Sequence, residues 1–553
     1  MPANIHDVDF LVVGSGSGGL TAALTAQHAG LSTLVIEKTD KYGGNSSRSG
    51  GGIWVPGHFL QASMGVEDSI ELGRTYMAAT VGKRTPQNLQ DAFLKNAPEM
   101  VLFLQNNSVV KFHPVPGYSD YYPELPGGLA VGRTLECDIL STRKLGPEWR
   151  NMRTNPLFMG PMYMGIPDFA KLGMFMTTWT GRWVLLKVMF RTLFATLRRV
   201  KLLTMGGALI GRLRLSMLLA DIPLWLDTPM QELIHQDGKI IGAIVNHEGQ
   251  QVEIHARKGV LLASGGFEKN PTMRTTYQQE PISTEWTSGA PGNTGDAINA
   301  GLKIGAKLDL MEDAWWMPTS MPNGEPFPHV NERAYPGGIM VDMAGKRFMN
   351  ESAPYHEAVH IMYAHQVNGK PTIPAWFIMD QRMRDKYLWA TFMPGMKFPK
   401  KMYESGYVTS AGSIPELAEK LGLDPDALRQ TVETFNNQAQ QGVDSDFHRG
   451  VSAYDHYYGD PANKPNPNLH ALDKPPFHAI RLYPGDIGTK GGLVIDECAR
   501  VLRQDGSVID GLFATGNTSA SVMGNTYPGP GATIAPSMTF GYIAARVAAG
   551  IHE

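Results

Sequence analysis

"DFLVVGSGSGGLTAALTAQHAGLSTLVIEK" (residues 9–38) decides how the chain begins to fold. Its apolar run Phe10–Val13 predicts a buried strand, followed by a glycine turn, a helix from about Leu20 to Ala29 and a second strand over Thr33–Ile36. The glycines fall as Gly14-x-Gly16-x-x-Gly19. The first permits a tight turn, the second lets a pyrophosphate approach the backbone, and the third lets the helix pack on the sheet with its N-terminus facing the phosphates. Glu37 closes the second strand, where it can accept hydrogen bonds from a ribose. GxGxxG alone is a weak motif and often only a flexible turn; strand, turn, helix, strand and acid in register make it a dinucleotide site.

NAD and FAD share this fingerprint, so the rest of the chain must separate them. "GGNSSRSGGGIWVPG" (residues 43–57) combines glycines and small hydroxyl residues against which a flat ring system can lie. "GVLLASGGFEKN" (residues 259–270) and "GLFATGNTSASVMG" (residues 511–524) each read as a strand running into a further glycine turn. Three glycine-rich strand ends, far apart in sequence, suit the length of FAD. The totals allow it. A chain of 553 residues implies two or three domains, and a formal charge of -3 with 18% charged residues gives no global signal for nucleic acid. Only two cysteines are present, Cys137 and Cys498, without metal-ligand or disulfide spacing. The opening "MPANIHDVDF" lacks the basic and apolar runs of a signal peptide, and no stretch reaches the roughly 18 apolar residues of a membrane span. The expected setting is cytoplasmic.

The order of the glycine blocks resembles the flavoprotein superfamily of fumarate reductase and succinate dehydrogenase subunits, over nearly the whole chain outside one insertion. That resemblance implies an α/β fold: a Rossmann-like FAD-binding domain with a second, mixed α/β substrate domain. It also implies flavin contacts from Gly14, Gly16, Gly19, Glu37, Lys38, Gly44, Asn45, Ser46, Ser49, Gly51, Gly52, Met230, Ala263, Gly265, Gly516 and Asn517. Members with covalent flavin carry a histidine after the first βαβ unit; Arg48, Ser49 and glycines stand here, so the FAD is expected to be non-covalent. Residues 1–313 are expected to form the first part of the FAD domain and 490–553 its return. Residues 314–489 are expected to form the substrate domain, with helices capped by Ser413 and Asp424.

Fumarate reductases of the superfamily carry a proton-donating arginine five residues after the Asn of an "RF-x-NE" stretch. In "KRFMNESAPYHE" that place belongs to Tyr355, which removes both the proton donor and a partner for a dicarboxylate. "SDYYPELPGG", "NESAPYHE", "NTYPGPGATIAPSMTFGYIAA", "SGGGIWVPG" and "DIGTKGGLVID" are instead similar to blocks of the 3-ketosteroid Δ1-dehydrogenases. This similarity implies a 3-ketosteroid substrate whose C3 oxygen is held by Tyr527 and the Gly531 N–H. It further implies that Tyr355 removes the C2 proton, that Tyr121 is hydrogen-bonded to Tyr355 and stabilises its phenolate, and that flavin N5 takes hydride from C1. The alternatives are a 3-ketosteroid Δ4-(5α)-dehydrogenase with related flavin blocks and a non-catalytic, flavin-containing membrane scaffold. No residue pattern names an electron acceptor.

"HEAVH" (residues 356–360) matches the H-E-x-x-H pattern of zinc sites. No third ligand follows from the spacing and the segment sits inside a flavoprotein block, so no metal is expected. The insertion covers roughly residues 153–204. From Phe169 to Ala220 the chain has no Asp or Glu but nine Lys and Arg residues. On a helical wheel Lys187, Arg191 and Arg198 share one face, while Leu186, Met189, Phe190, Leu193, Leu197 and Val200 share the other, with Trp179 and Trp183 at the start. Such a helix over about 169–204 is expected to lie in the interface of an anionic membrane, on its cytoplasmic face, without spanning it. Packing into a core or an oligomer interface is the competing explanation.

Overall fold

The long strand Asn4–Val13 organises the larger of the two main sheets, and the computed structural model describes residues 4–155, 162–367 and 369–551. The strand begins earlier than its apolar run because the polar stretch before Phe10 extends along Gln250–Leu262, with a register shift between Val8 and Phe10. Eight strands form this sheet. Its main order is Arg500–Leu502, Val508–Ala514, Gln250–Leu262, Asn4–Val13, Thr33–Ile36 and Leu224–Trp225. The four pairings from Val508–Ala514 across to Leu224–Trp225 are parallel. Met230–Gln236 and Lys239–His247 add an antiparallel flap to Gln250–Leu262.

Register decides what this sheet can do. Val13 lies beside Ile36 and Leu262, and Leu262 beside Ala514, so four parallel strands end level with one another, three of them running into glycine turns. Their continuations begin at Gly14, Ala263 and Thr515, whose backbone N–H groups donate to the last carbonyl of a neighbouring strand at 2.8–3.0 Å. The distant glycine turns therefore meet at one edge, where the ligands of open α/β sheets bind. Helix Ser17–His28 begins three residues before its expected start, immediately after Gly16. It packs so closely on Ile534–Ala548 that a Cβ on Gly18 would approach the Ser537 carbonyl oxygen to 2.5 Å.

The second sheet is built around the 13-residue strand Phe477–Thr489. Ala314–Ser320, Ala375–Met379 and Val408–Ala411 pair with it antiparallel, and Phe327–Pro328 and Gly338–Val341 lie at the edges. Helix Tyr355–Val367 packs against Ala314–Ser320. Outside this sheet, Ile414–Leu421 and Pro425–Gln441 are capped by Ser413 and Asp424, whose side chains accept from Glu416 N and from Asp426 and Ala427 N.

Within the insertion, residues 156–161 lie outside the described residues. Beyond them come helix Ile166–Leu172 and helix Trp179–Leu197. The Glu136 carboxylate accepts from Ile166 N at 2.9 Å and fixes where the first helix starts. Buried Asp168 binds Lys187 at 3.0 Å and Arg191 at 2.9 Å. Two of the three cations of the expected basic face thus pair with the acid that immediately precedes the acid-free run. The side left to solvent is apolar: Trp179, Trp183, Phe190, Leu193, Phe194 and Leu197 are all exposed, Trp179 by 81%.

Candidate active site

A cavity of roughly 610 Å³ runs from the level strand ends to the second sheet. Glycine backbone forms the wall at the first-sheet end. Gly14 has φ +113°, and a Cβ there would stand 2.3 Å from the Ala263 carbonyl oxygen. At Gly16 the nearest atom to an added Cβ is Ser46 Oγ at 3.7 Å, so the backbone is open to the cavity. The same Ser46 Oγ accepts from Ser17 N at 3.1 Å and holds the start of the first helix. Glu37 accepts from Ser15 Oγ at 2.6 Å and from Thr39 Oγ1 at 2.9 Å. Lys38 pairs with Asp296 and Thr294. This cradle of bare backbone, helix amides and a fixed carboxylate fits the phosphates and ribose of FAD.

Gly44, Asn45, Ser49, Gly51, Gly52 and Met230 also line the cavity. Asn45 is held from both sides: its amide donates to Glu268 Oε1 at 2.7 Å and its oxygen accepts from Ala290 N at 2.6 Å. Ala263, Gly265, Gly516 and Asn517 complete the surface from the other two strand ends. Gly19 alone of the expected flavin contacts lies away from the cavity. A Cβ there would meet the Gly14 carbonyl oxygen at 2.2 Å, so this glycine serves helix packing. Glu268 was not singled out from sequence; it is fully buried, and burial raises its pKa while Asn293 and Asn45 lower it.

Three tyrosines from three segments face one another deeper in the cavity. Tyr121 Oη donates to Tyr355 Oη at 2.7 Å. The rings of Tyr121 and Tyr527 stand edge to face at 4.9 Å, and those of Tyr355 and Tyr527 at 5.5 Å. Its neighbours have other partners: Tyr118 bonds to Tyr458, and Tyr122 reaches Glu357. Tyr527 sits in a turn gripped by several segments. Tyr121 N and Tyr76 Oη both donate to the Pro528 carbonyl, at 2.9 and 2.7 Å, and Thr134 Oγ1 donates to that of Pro530 at 2.9 Å. Gly531 has φ +97°, and a Cβ would strike the Gly52 carbonyl oxygen at 2.4 Å. Burial raises the Tyr527 phenol, and Tyr355, Thr533 and the Gly531 N–H, all close to its hydroxyl, lower it. Burial pushes the phenols of Tyr121 and Tyr355 well above the usual range, and the bond from Tyr121 opposes that shift at Tyr355.

Behind Tyr527 lies a buried charged group. Among the described residues, Asp313, His356 and His360 bring ligand-type atoms within 4.8 Å of one another. Lys490 occupies this cluster, with Nζ 2.8 Å from His356 Nε2 and 3.3 Å from Asp313 Oδ2. An ammonium there competes with a metal ion for the same ligand atoms and repels it. Asp313 is held well below the usual carboxylate range by Lys490 and the two histidines, against the effect of burial. Burial lowers Lys490 to about 8. Trp315, also unanticipated, lines the cavity and donates its indole N–H to Asn517 Oδ1 at 3.0 Å.

The fold and cradle define a flavoprotein, and the FAD binding domain family model matches residues 9–534. A 3-oxosteroid 1-dehydrogenase of Mycobacterium tuberculosis (strain ATCC 25618 / H37Rv) is 47% identical over 98% of both chains. The crystal structure of the 3-ketosteroid delta1-dehydrogenase of Sterolibacterium denitrificans, in complex with 1,4-androstadiene-3,17-dione, superposes with a TM-score of 0.94 at 38% identity. That match covers 99% of this chain and all of the other. The chain belongs to the 3-oxosteroid 1-dehydrogenase family of FAD-dependent oxidoreductases. The 3-ketosteroid-delta4-(5alpha)-dehydrogenase of Rhodococcus jostii RHA1 covers 98% of this chain and 97% of its own, with a TM-score of 0.68; at 21% identity it shares the fold alone.

Strain from a side chain at a positive-φ glycine costs about 1–3 kcal/mol. Gly14→Ala is therefore expected to weaken FAD binding by about tenfold or more, measured by fluorescence titration of the apoprotein with FAD. Affinity equal to the parent's would contradict the cradle.

Proposed function

We propose that the chain removes the C1 and C2 hydrogens of 3-ketosteroids, leaving a C1=C2 double bond, with Tyr527 and Gly531 polarising the ketone. The observation that carries this reading is the Gly531 N–H and the Tyr527 hydroxyl lying close together in a buried turn beside Tyr355. A ketone oxygen entering this corner takes the Gly531 N–H and the Tyr527 O–H as two donors. Both are fixed before substrate arrives, so little reorganisation opposes charge growing on the oxygen. That polarisation acidifies C2–H. Tyr355, hydrogen-bonded to Tyr121, accepts the C2 proton as a phenolate. Bound FAD, held non-covalently, supplies the hydride acceptor for C1 at flavin N5. The proposed division into an FAD unit (residues 1–313 and 490–553) and a substrate unit (314–489) puts Tyr355 on one side of the cavity and Tyr527 on the other. A Δ4-(5α) reaction is disfavoured by the much closer likeness to Δ1 relatives.

Burial raises the Tyr355 phenol, so the phenolate fraction grows with pH throughout the range below that pKa. The expected result is flavin reduction by a 3-keto-4-ene steroid that accelerates from neutral to alkaline pH in anaerobic stopped flow. Tyr355→Phe and Tyr527→Phe should each slow reduction by about a hundredfold or more, and Tyr355→Phe should abolish the pH dependence. Reduction at the parent's rate in either variant would sink the assignment.

We also propose that the exposed side of helix Trp179–Leu197 attaches the protein peripherally to a membrane. Support comes from the row of exposed tryptophan, phenylalanine and leucine side chains, with Arg198 and Arg199 exposed at its end. The neighbouring helix contributes Ile166, Phe169 and Leu172 to the cavity wall, which links the exposed segment to the place where an apolar substrate would lie. No helix among the described residues is long and apolar enough to cross a membrane. The double change Leu193→Glu and Leu197→Glu is expected to move the protein from the liposome pellet to the supernatant in co-sedimentation. Unchanged partitioning would rule this attachment out, and a change in oligomeric state instead would assign the face to a second copy.

A further inference from the structure

Strand Phe477–Thr489 delivers Lys490 to a position with no solvent exposure. Its Nζ donates to the Thr526 carbonyl at 2.8 Å and to His356 Nε2 at 2.8 Å. Thr526 immediately precedes Tyr527, and His356 immediately follows Tyr355. We infer that Lys490 is a positioning residue whose buried ammonium, by bridging His356 and the Thr526 carbonyl, sets the separation of Tyr355 from Tyr527 across the cavity. The inference rests on the roles proposed above for those two tyrosines.

The bridge matters because the two tyrosines are carried by different parts of the fold. Tyr355 opens the helix packed on strand Ala314–Ser320 of the second sheet, whereas Tyr527 precedes the final helix, which packs on the first βαβ unit. An ammonium offers three donors. Here three groups take them: a backbone carbonyl beside one tyrosine, an imidazole beside the other, and Asp313, which supplies the compensating charge. Asp313 is itself fixed by Trp316 Nε1 at 2.6 Å and His360 Nε2 at 3.0 Å. A second route runs through Trp315. Lys490 lies 4.3 Å from the centroid of its ring, and the same ring stands edge-on to Tyr527 at 5.0 Å. Losing the ammonium thus removes one tie on the backbone before Tyr527 and one on the ring beside it. It leaves the hydroxyls of Tyr121 and Tyr355 bonded to each other.

The test is Lys490→Met, assayed as holoprotein by anaerobic stopped-flow flavin reduction with 4-androstene-3,17-dione beside Tyr355→Phe and Tyr527→Phe. At saturating steroid the rate is expected to fall about tenfold or more. FAD should stay bound one to one, and the half-saturating steroid concentration should stay within about threefold of the parent's. A saturated rate within about threefold of the parent's, or a loss that merely follows lost FAD, would overturn the inference. Should Lys490→Met fail to fold, Asp313→Asn keeps the side-chain shape and loosens the ammonium. Its rate should fall by more than about threefold at unchanged FAD content, and a rate equal to the parent's would overturn the inference equally. If the two phenylalanine variants retain the parent's rate, the proposed tyrosine roles fail whatever Lys490→Met does. If they lose it and Lys490→Met does not, only the inference fails.

Discussion

The contact between Gly531 and Gly52 ties the whole arrangement together. A Cβ on Gly531 would lie 2.4 Å from the Gly52 carbonyl oxygen, and Gly531 adopts a φ of +97° that other residues resist. Gly52 belongs to the loop expected to meet the flavin, and the Gly531 N–H lies close to the Tyr527 hydroxyl. Two glycines in contact thus place the tyrosine turn directly against the cofactor loop. Any side chain at residue 531 would push the two apart, and with them the proposed ketone grip and hydride acceptor.

Electrostatics in this interior divide into two regions. The tyrosine cluster brings together phenols, the Thr533 hydroxyl and a peptide amide, and burial drives its phenols upward, so charge there is disfavoured until something compensates for it. Beside it the Asp313–Lys490 pair keeps formal charges in a buried place by satisfying them with one another and with His356, His360 and Trp316. A fully buried ammonium next to a site proposed to stabilise a developing oxyanion is costly unless paired, and it is paired. On the proposed reading, neutral donors grip the oxygen while the neighbouring cation holds the geometry without touching it.

What sequence made legible was whatever depends on local backbone chemistry. Gly14 and Gly16 stood out because a tight turn and a bare backbone leave a spacing behind, and Ser413 and Asp424 because capping acts over two or three residues. Three separated glycine blocks pointed to one edge because each closes a strand. The choice of Tyr121 over Tyr118 and Tyr122 needed a family likeness, since the partners Tyr355, Tyr458 and Glu357 lie hundreds of residues away. The same distance hid Lys490: its block was recognisable, but its contacts with His356 and Thr526 exist only once two sheets have assembled. Helix Trp179–Leu197 was legible as amphipathic, yet which side turns inward was decided by Asp168, a single acid outside the helix.

The central claim is that a ketone oxygen is held by the Tyr527 hydroxyl and the Gly531 N–H beside Tyr355, and a crystal structure of the holoprotein with 1,4-androstadiene-3,17-dione bound tests it most directly. The account predicts that the C3 oxygen lies within about 3.2 Å of both donors, with C2 facing Tyr355. An A ring seated elsewhere in the cavity, or a C3 oxygen bonded to neither group, would contradict it.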